Sequence, residues 1–415
     1  MYDIAVVGGG AAGMLASAVA AELGASVLVI ERNAKPGKKL LITGKGRCNL
    51  TNNCSVAEAL CNIPTGGRFL QSAFNAFSPD NAIELFEKLG VPLKTERGHS
   101  VFPKSDSSGD VVDALCRYMD KGGVKLRQGR ALGLFSECGR ITGAKATFGD
   151  IKCCAVILAT GGLSYPATGS SGDGYGFAEA LGHTVKPLRA SLVPLEAEPA
   201  VCGRMQGLTL KNVRLSVYDG SSKPIFSEIG EIMFTHFGLS GPLVLSASAH
   251  MRDYEKKRYY AHVDLKPALD ERKFDERILR DFKKFTNRDF GNSLVDLLPR
   301  LIIPVIVERS GISPDLKVHS VSREQRMRLA NEIKRFKIDI TGSRPIEEAV
   351  ITSGGVDLRE IDPKTMESKL VSGLYFAGEI IDADAYTGGF NLQIAWSTAY
   401  AAARAAVNQV ISKKI

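Results

Sequence analysis

No two cysteines in this 415-residue chain are spaced C-x-x-C, and the eight present (48, 54, 61, 116, 138, 153, 154 and 202) make no zinc-like ligand set. A thioredoxin-like dithiol and a structural metal are therefore not expected, and Cys153-Cys154, in an apolar strand-like run, reads as core. No apolar stretch approaches a membrane span, so no membrane partner is expected. No basic start, apolar segment and cleavage site precede the first strand, so no export signal is expected and the setting is reducing and cytoplasmic. Internal repeats and low-complexity segments are also lacking. What remains is ordinary for a soluble globular protein: 44% hydrophobic and 24% charged residues. The length exceeds one compact core, so two or three domains are expected.

The chain opens on a strand–turn–helix pattern. Asp3 to Val7 is apolar and β-rich, Gly8-Gly9-Gly10-Ala11-Ala12-Gly13 reads G-x-G-x-x-G, and Ala11 to Leu23 has helical spacing. Gly8 allows the tight turn, Gly10 lets a pyrophosphate approach the backbone, and Gly13 allows close helix–strand packing. The helix start, Ala12 included, offers unpaired N–H groups and a positive dipole end to phosphate. Ser26 to Ile30 forms the second strand. Glu31 follows, eighteen positions after Gly13, where an acid accepts ribose hydroxyls, with Arg32 beside it. A second G-x-G-x-x-G is absent, so no dedicated second dinucleotide domain is expected.

Further along, the strand Lys152 to Ala159 ends in Thr160-Gly161-Gly162, small residues suited to backbone passing close to a dinucleotide. Ser164 to Gly176 is glycine-rich and runs into a helix from Phe177 to Leu181, either a long surface loop or a backbone-donor cradle. From Leu192 short strands follow (192–198, 209–218, 231–234, 258–265), a β-rich insert. Phe274, Ile278, Phe282 and Phe285, then Leu294, Leu297, Leu298 and Leu301, fall at helical spacing. These divisions give a nucleotide-binding domain over 1–190 and 342–415, a β-rich insert over 191–268 and 338–341, and a nested helical part over 269–337.

The charge is uneven. Residues 271–337 hold sixteen Lys or Arg against ten Asp or Glu, a surplus of six in a chain of net +8. That suggests an acidic partner such as nucleic acid, or else a solvated helix face.

The last forty residues answer the first fifteen. Leu374 to Ala377 is an apolar strand ending in Gly378-Glu379, followed by Gly388-Gly389-Phe390-Asn391-Leu392 and a small-residue helix. Two-domain flavoproteins join the chain ends in this way around one FAD. Glu379 would lie on the ribitol side, and Gly389 to Leu392 would approach the isoalloxazine. Between Gly37 and Asn52, Lys38, Lys39, Lys45 and Arg47 place positive charge beneath the ring, where it stabilises the anionic reduced flavin. Gly46, Cys48 and Asn49 belong to the same turn, Cys48 as a small packed residue or a redox thiol.

The run from Gly37 to Asn52, the segment Phe234-Thr-His236-Phe-Gly-Leu-Ser-Gly241-Pro and the segment Thr365-Met-Glu-Ser-Lys369 resemble the hallmarks of the BaiN-like (YhiN-like) NAD(P)/FAD-dependent oxidoreductases, over essentially the whole chain. The resemblance implies an α/β fold with a Rossmann-like, glutathione-reductase-type FAD-binding domain, an inserted β-barrel and a nested helical sub-domain. It also implies FAD, NADH or NADPH as electron donor, and reductase chemistry. One departure from the wider class is Glu379 where many members carry Asp, with Asp382 and Asp384 following. Family members are associated with reducing uridine in ribosomal RNA, and others with unsaturated oxo-bile acids or steroids. The expected reaction is hydride transfer from flavin N5 to a C=C bond conjugated to a carbonyl. His236, Tyr165 and Arg47 are the candidate acids or oxyanion donors, with a core histidine as the other reading of His236. A non-catalytic, flavin-stabilised RNA-binding factor is the alternative from another class.

Overall fold

A computed structural model describes residues 1–411. The chain divides into two compact units, Met1–Ser191 with Ile346–Ile415, and Leu192–Pro345.

The first unit is built on a parallel sheet in the spatial order Lys125–Gln128, Val27–Glu31, Tyr2–Val7, Gly149–Leu158, Leu374–Phe376. Its middle strands are buried along their length and read as nearly continuous Val, Ile, Leu and Ala, as a sheet covered on both faces requires. The Gly149–Leu158 strand serves two sheets. Its second half pairs with Tyr2–Val7, and its first half continues an antiparallel meander with Arg140–Ala146 and Ala131–Glu137. The two ends of the chain meet here. Helix Ala11–Glu22 packs against helix Phe390–Ile411 through buried alanines, whose small side chains let the backbones come close. The one tryptophan, Trp396, is fully buried, donates to Leu50 O at 2.9 Å and meets Phe86 edge-on.

The chain leaves this unit after strand Val185–Ser191 and returns into Ile351–Val356, and these two strands pair antiparallel. Asp384, fully buried, accepts the hydroxyls of Ser191 at 2.7 Å and Ser353 at 2.8 Å, one from each strand.

The second unit is a closed six-strand barrel in the order Leu195–Ala197, Gly238–Ser240, Phe226–Phe234, Thr209–Tyr218, Tyr259–Asp264, Phe336–Ser343. Strict alternation fills it: Phe336, Ile338 and Ile340 point inward while Lys337 and Asp339 are exposed. Helices Glu271–Lys284, Ile303–Ser310 and Arg323–Lys334 share one hydrophobic cluster with the barrel strands. Phe274, Ile278 and Phe282 form the buried stripe of the first, each contributing about 1.5–3 kcal/mol by burial. Its start is fixed by Asp270, which accepts Lys273 N–H, and that of the third by a Ser322–Gln325 capping box.

The leucines from 294 to 301 depart from the helical spacing read in the sequence. They lie in a short 3-10 turn, Leu294–Asp296, and the loop after it, with Leu301 exposed. Pro299 explains this, since it lacks an N–H and disfavours helical geometry at Leu298. The barrel's last strand likewise starts at Phe336, two residues before the boundary drawn from the sequence. The helix after the Ser164–Gly176 loop starts at Asp173, four residues before Phe177.

Candidate cofactor site

The turn after Tyr2–Val7 is defined by where side chains cannot go. Gly8 has φ +102°, and a Cβ there would meet Ala159 O at 2.4 Å; one on Gly13 would meet Gly8 O at 1.8 Å. Gly10 is the opposite case, because a Cβ there has nothing within 4 Å. Gly10 also opens the Ala11–Glu22 helix, with no side-chain cap and no acid in the first turn. Uncapped N–H groups therefore face open space at the positive end of the dipole. Thr160, across the turn, carries a buried Oγ1 without a partner among the described residues. Uncapped amides and a gap at Gly10 fit the phosphates of a dinucleotide, while the Thr160 hydroxyl itself packs against Gly174. Gly378 (φ +75°) closes the group from the other chain end, for a Cβ there would meet Ala12 Cβ at 2.9 Å.

Glu31 ends its strand buried beneath this turn. Its Oε2 accepts Gly9 N–H at 2.6 Å, and its Oε1 accepts the backbone and side-chain N–H groups of Asn33, both at 2.7 Å. Oε2 carries one protein hydrogen bond and retains a lone pair for a hydroxyl. The glycine-rich loop lies over the same edge: Lys38 donates to Ala167 O at 2.7 Å, Asn33 to Thr168 O at 2.9 Å and Arg32 to Gly169 O at 3.4 Å. Tyr165 opens that turn in the left-handed region (φ 52°) and accepts from Thr168 N–H and Oγ1. The helix start beyond it is occupied by the Arg130–Asp173 pair, two hydrogen bonds of 2.8 Å.

Glu379 is placed differently from an open ribitol acceptor. Its Oε1 takes Ser164 Oγ and Thr352 N–H, both at 2.9 Å, while Lys39 Nζ reaches Oε2 at 2.6 Å and Ser164 Oγ at 2.6 Å. Two of the four cations expected beneath the ring, Lys39 and Arg47, are matched by acids. Lys39 pairs with Glu379, and Arg47 lies over Phe102 and bonds Glu96 and Asp106. The neighbouring Lys94 and Arg47 together hold the Asp106 carboxyl below its ordinary range.

Gly46 takes φ +84° in the turn before Cys48. Cys48 is fully buried and its thiol is pushed up to about 12 by desolvation. That burial favours a packed residue over a reactive thiol. With its amide oriented by its hydrogen bonds, Asn49 donates to Thr51 O at 3.1 Å and accepts Gly389 N–H at 3.1 Å. A Cβ on Gly389 would strike Thr51 backbone. Asn391 holds Ala385 through its N–H and C=O, at 2.9 and 2.8 Å, beside buried Phe390 and half-buried Leu392. Gly161 (φ +75°) follows Thr160.

The other hallmark segments resolve into structure. Thr365–Lys369 is a knot: Glu367 accepts Gly373 N–H and Gln409 Nε2, both at 2.8 Å. Ser368 Oγ lies 2.8 Å from His183 Nε2. His236, in the second unit, sits in the tight turn between strands Phe226–Phe234 and Gly238–Ser240, exposed, its ring edge-on to Phe237. It is not a core histidine.

Ser164, Thr352 and Asn33 were not singled out from sequence. Asn33, two residues after Glu31, is a local carboxylate–amide turn that could have been found; the other two bond Glu379 only through tertiary contacts.

A model of the HI0933-like protein Rossmann domain matches residues 2–405. The chain belongs to that family. It is 32% identical to the ribosomal RNA dihydrouridine synthase of Escherichia coli (strain K12), over 97% of both chains. It is 30% identical to the 3-dehydro-bile acid delta(4,6)-reductase of Clostridium scindens, over 99% of this chain and 100% of the other. Among solved structures it resembles the 3-ketosteroid delta1-dehydrogenase of Sterolibacterium denitrificans, with a TM-score of 0.53 at 14% identity over 98% of this chain and 99% of that one. The family agrees with the resemblance read from the motifs, and the fold with a Rossmann-type FAD-binding architecture carrying an inserted barrel.

Proposed function

We propose that this protein is an FAD-dependent reductase that saturates a C=C bond conjugated to a carbonyl, and that its substrate is uridine in ribosomal RNA. One coincidence carries the reading: a dinucleotide-shaped cradle at the joined chain ends, in a chain whose relatives bear names that share a single bond change. Dihydrouridine formation and Δ4,6 reduction of a 3-oxo bile acid both add two hydrogens across a bond conjugated to a carbonyl. Bound FAD, once reduced, supplies the hydride.

The chain's own residues have the remaining tasks. Gly8, Gly10, Ala12, Gly13 and Thr160 hold the pyrophosphate, Glu31 the ribose, and the Lys39–Glu379–Ser164 group stiffens the backbone near Gly161 and Gly378. His236 is the proposed proton donor to the α carbon, because its imidazole is exposed and lies in the hallmark segment Phe234 to Pro242. Arg47 cannot give up a proton, so Arg47 and Tyr165 are left as donors to the carbonyl oxygen. With a single G-x-G-x-x-G, NADH or NADPH would bind transiently to reduce the flavin. Among the described residues no helix is long and apolar enough to cross a membrane.

The bile-acid reading has one observation in its favour. Lys284, Arg326, Lys334 and Arg335, four cations of the basic segment 271–337, are paired with Asp296, Asp275, Asp264 and Glu271. That pairing lowers the field that helical segment could present to RNA. Mass spectrometry of ribosomal RNA from a deletion strain decides. A uridine that loses its two-hydrogen gain, restored by the wild-type gene, supports the RNA reading, and unchanged RNA passes the weight to small-molecule enones. Rapid flavin reduction by NADH or NADPH in stopped flow separates either enzyme from a non-catalytic RNA-binding factor. A His236→Ala protein with full FAD should keep that reduction and lose turnover of substrate.

A further inference from the structure

The alternation that buries Val217, Ala261 and Val263 in the barrel turns Tyr218, Tyr260 and His262 outward on two paired strands. Tyr218 and Tyr260 are register partners, with rings stacked at 5.0 Å and 7°. His262 lies 5.3 Å from each ring. On the next strand Lys337 is the register partner of His262, and its Nζ sits 5.2 Å from the Tyr260 ring centroid. Neither tyrosine belongs to the hydrophobic cluster that fills the barrel.

Outward sheet positions are ordinarily polar, and three grouped rings beside a cation are the chemistry that takes unpaired bases: each base offers a π face, and the cation serves the phosphate. Burial, then the charges of Lys337 and Arg335, lower the proton affinity of His262. Asp339 pairs with Lys337 at 2.8 Å, Glu271 with Arg335 at 3.3 Å, and Asp219 with Lys257 at 2.6 Å at the end of the same face. The attraction for phosphate is therefore moderate, and stacking supplies most of the affinity. A bile acid would need an enclosed apolar pocket rather than the outside of a barrel.

We propose that Tyr218, Tyr260 and His262, flanked by Lys337 and Arg335, form a stacking platform for unpaired bases of the RNA substrate. The proposal rests on the RNA reading above and adds to it that the target segment is bound single-stranded, through the second unit. Fluorescence anisotropy with the FAD-loaded full chain and a labelled, uridine-rich single-stranded RNA of about twelve nucleotides tests it. The double variant Tyr218→Ala/Tyr260→Ala should bind about ten- to a hundredfold more weakly, the loss of one or two base stacks. Tyr218→Phe/Tyr260→Phe should bind like wild type, because the rings persist, and flavin content should not change in either. Ultraviolet cross-linking of the wild-type protein, which needs no variant to fold, should place uridine adducts on Tyr218, Tyr260 or His262.

Wild-type RNA binding that the alanine pair leaves intact, with adducts elsewhere, would overturn the platform and spare the RNA reading. Absence of RNA binding, together with unchanged ribosomal RNA in the deletion strain, would overturn both. A concentration-dependent dimer abolished by the alanine pair at unchanged RNA affinity would make the face a contact between copies and also overturn the proposal.

Discussion

The turn at the N-terminus and the barrel use side chains in opposite ways. At Gly8 and Gly13 the structure depends on absent side chains, because a Cβ would enter a carbonyl oxygen. In the barrel it depends on their presence, with Phe336, Ile338 and Ile340 filling the inside and Tyr218, Tyr260 and His262 standing outside. A site made by exclusion tolerates almost no substitution and leaves a fixed sequence mark. A surface made by alternation tolerates many, and its mark is diffuse. The steric demand therefore falls on the N-terminal turn, and the outer face of the barrel is the freer of the two to vary.

The comparison breaks first at Gly13. Gly13→Ala should cost about 3 kcal/mol through overpacking against Gly8 O, seen as poor soluble yield and a lowered melting temperature. An unaffected protein would mean the turn is not sterically fixed. A smaller loss is expected from Lys39→Met, which leaves Glu379 to Ser164 and Thr352. The side chains are 23% and 12% exposed, so about 1–2 kcal/mol is expected after allowance for solvent screening, read by denaturant melts.

The smallest effect concerns pH. His183 is buried between Glu360 and Ser368, and burial lowers its affinity for a proton despite the carboxylate. Its folded pKa lies below the unfolded value of about 6.5, so the unfolded chain takes up the proton first. The stability this gives is whole above that value and is lost as pH falls through the folded pKa. Wild-type melting temperature should fall between about pH 7 and 5 more steeply than that of His183→Gln; parallel curves would remove the histidine from the account.

How much was legible follows from the same contrast. Gly8, Gly10, Gly13, Glu31 and Gly378 could be read because their roles are steric or sit at fixed spacing from a strand end. The partners of Lys39 and Arg47 could not, since Glu379, Glu96 and Asp106 arrive from segments tens to hundreds of residues away. The charge on 271–337 was countable, but its pairing with Asp264, Asp275 and Glu271 needed the tertiary fold. Leu294 to Leu301 kept a helical spacing that Pro299 prevents. Tyr218, Tyr260 and His262 show outward parity in sequence, yet only strand register brings the three rings together.

The most direct test of the central claim is an FAD titration by calorimetry of apo-protein prepared from wild type and from Gly10→Val. Gly10 differs from Gly8 and Gly13 in that a Cβ there meets nothing within 4 Å. The variant should therefore fold and melt like wild type while losing FAD binding, and wild type should bind one FAD per chain. A Gly10→Val protein that binds FAD as tightly as wild type would contradict the assignment of this turn to the cofactor.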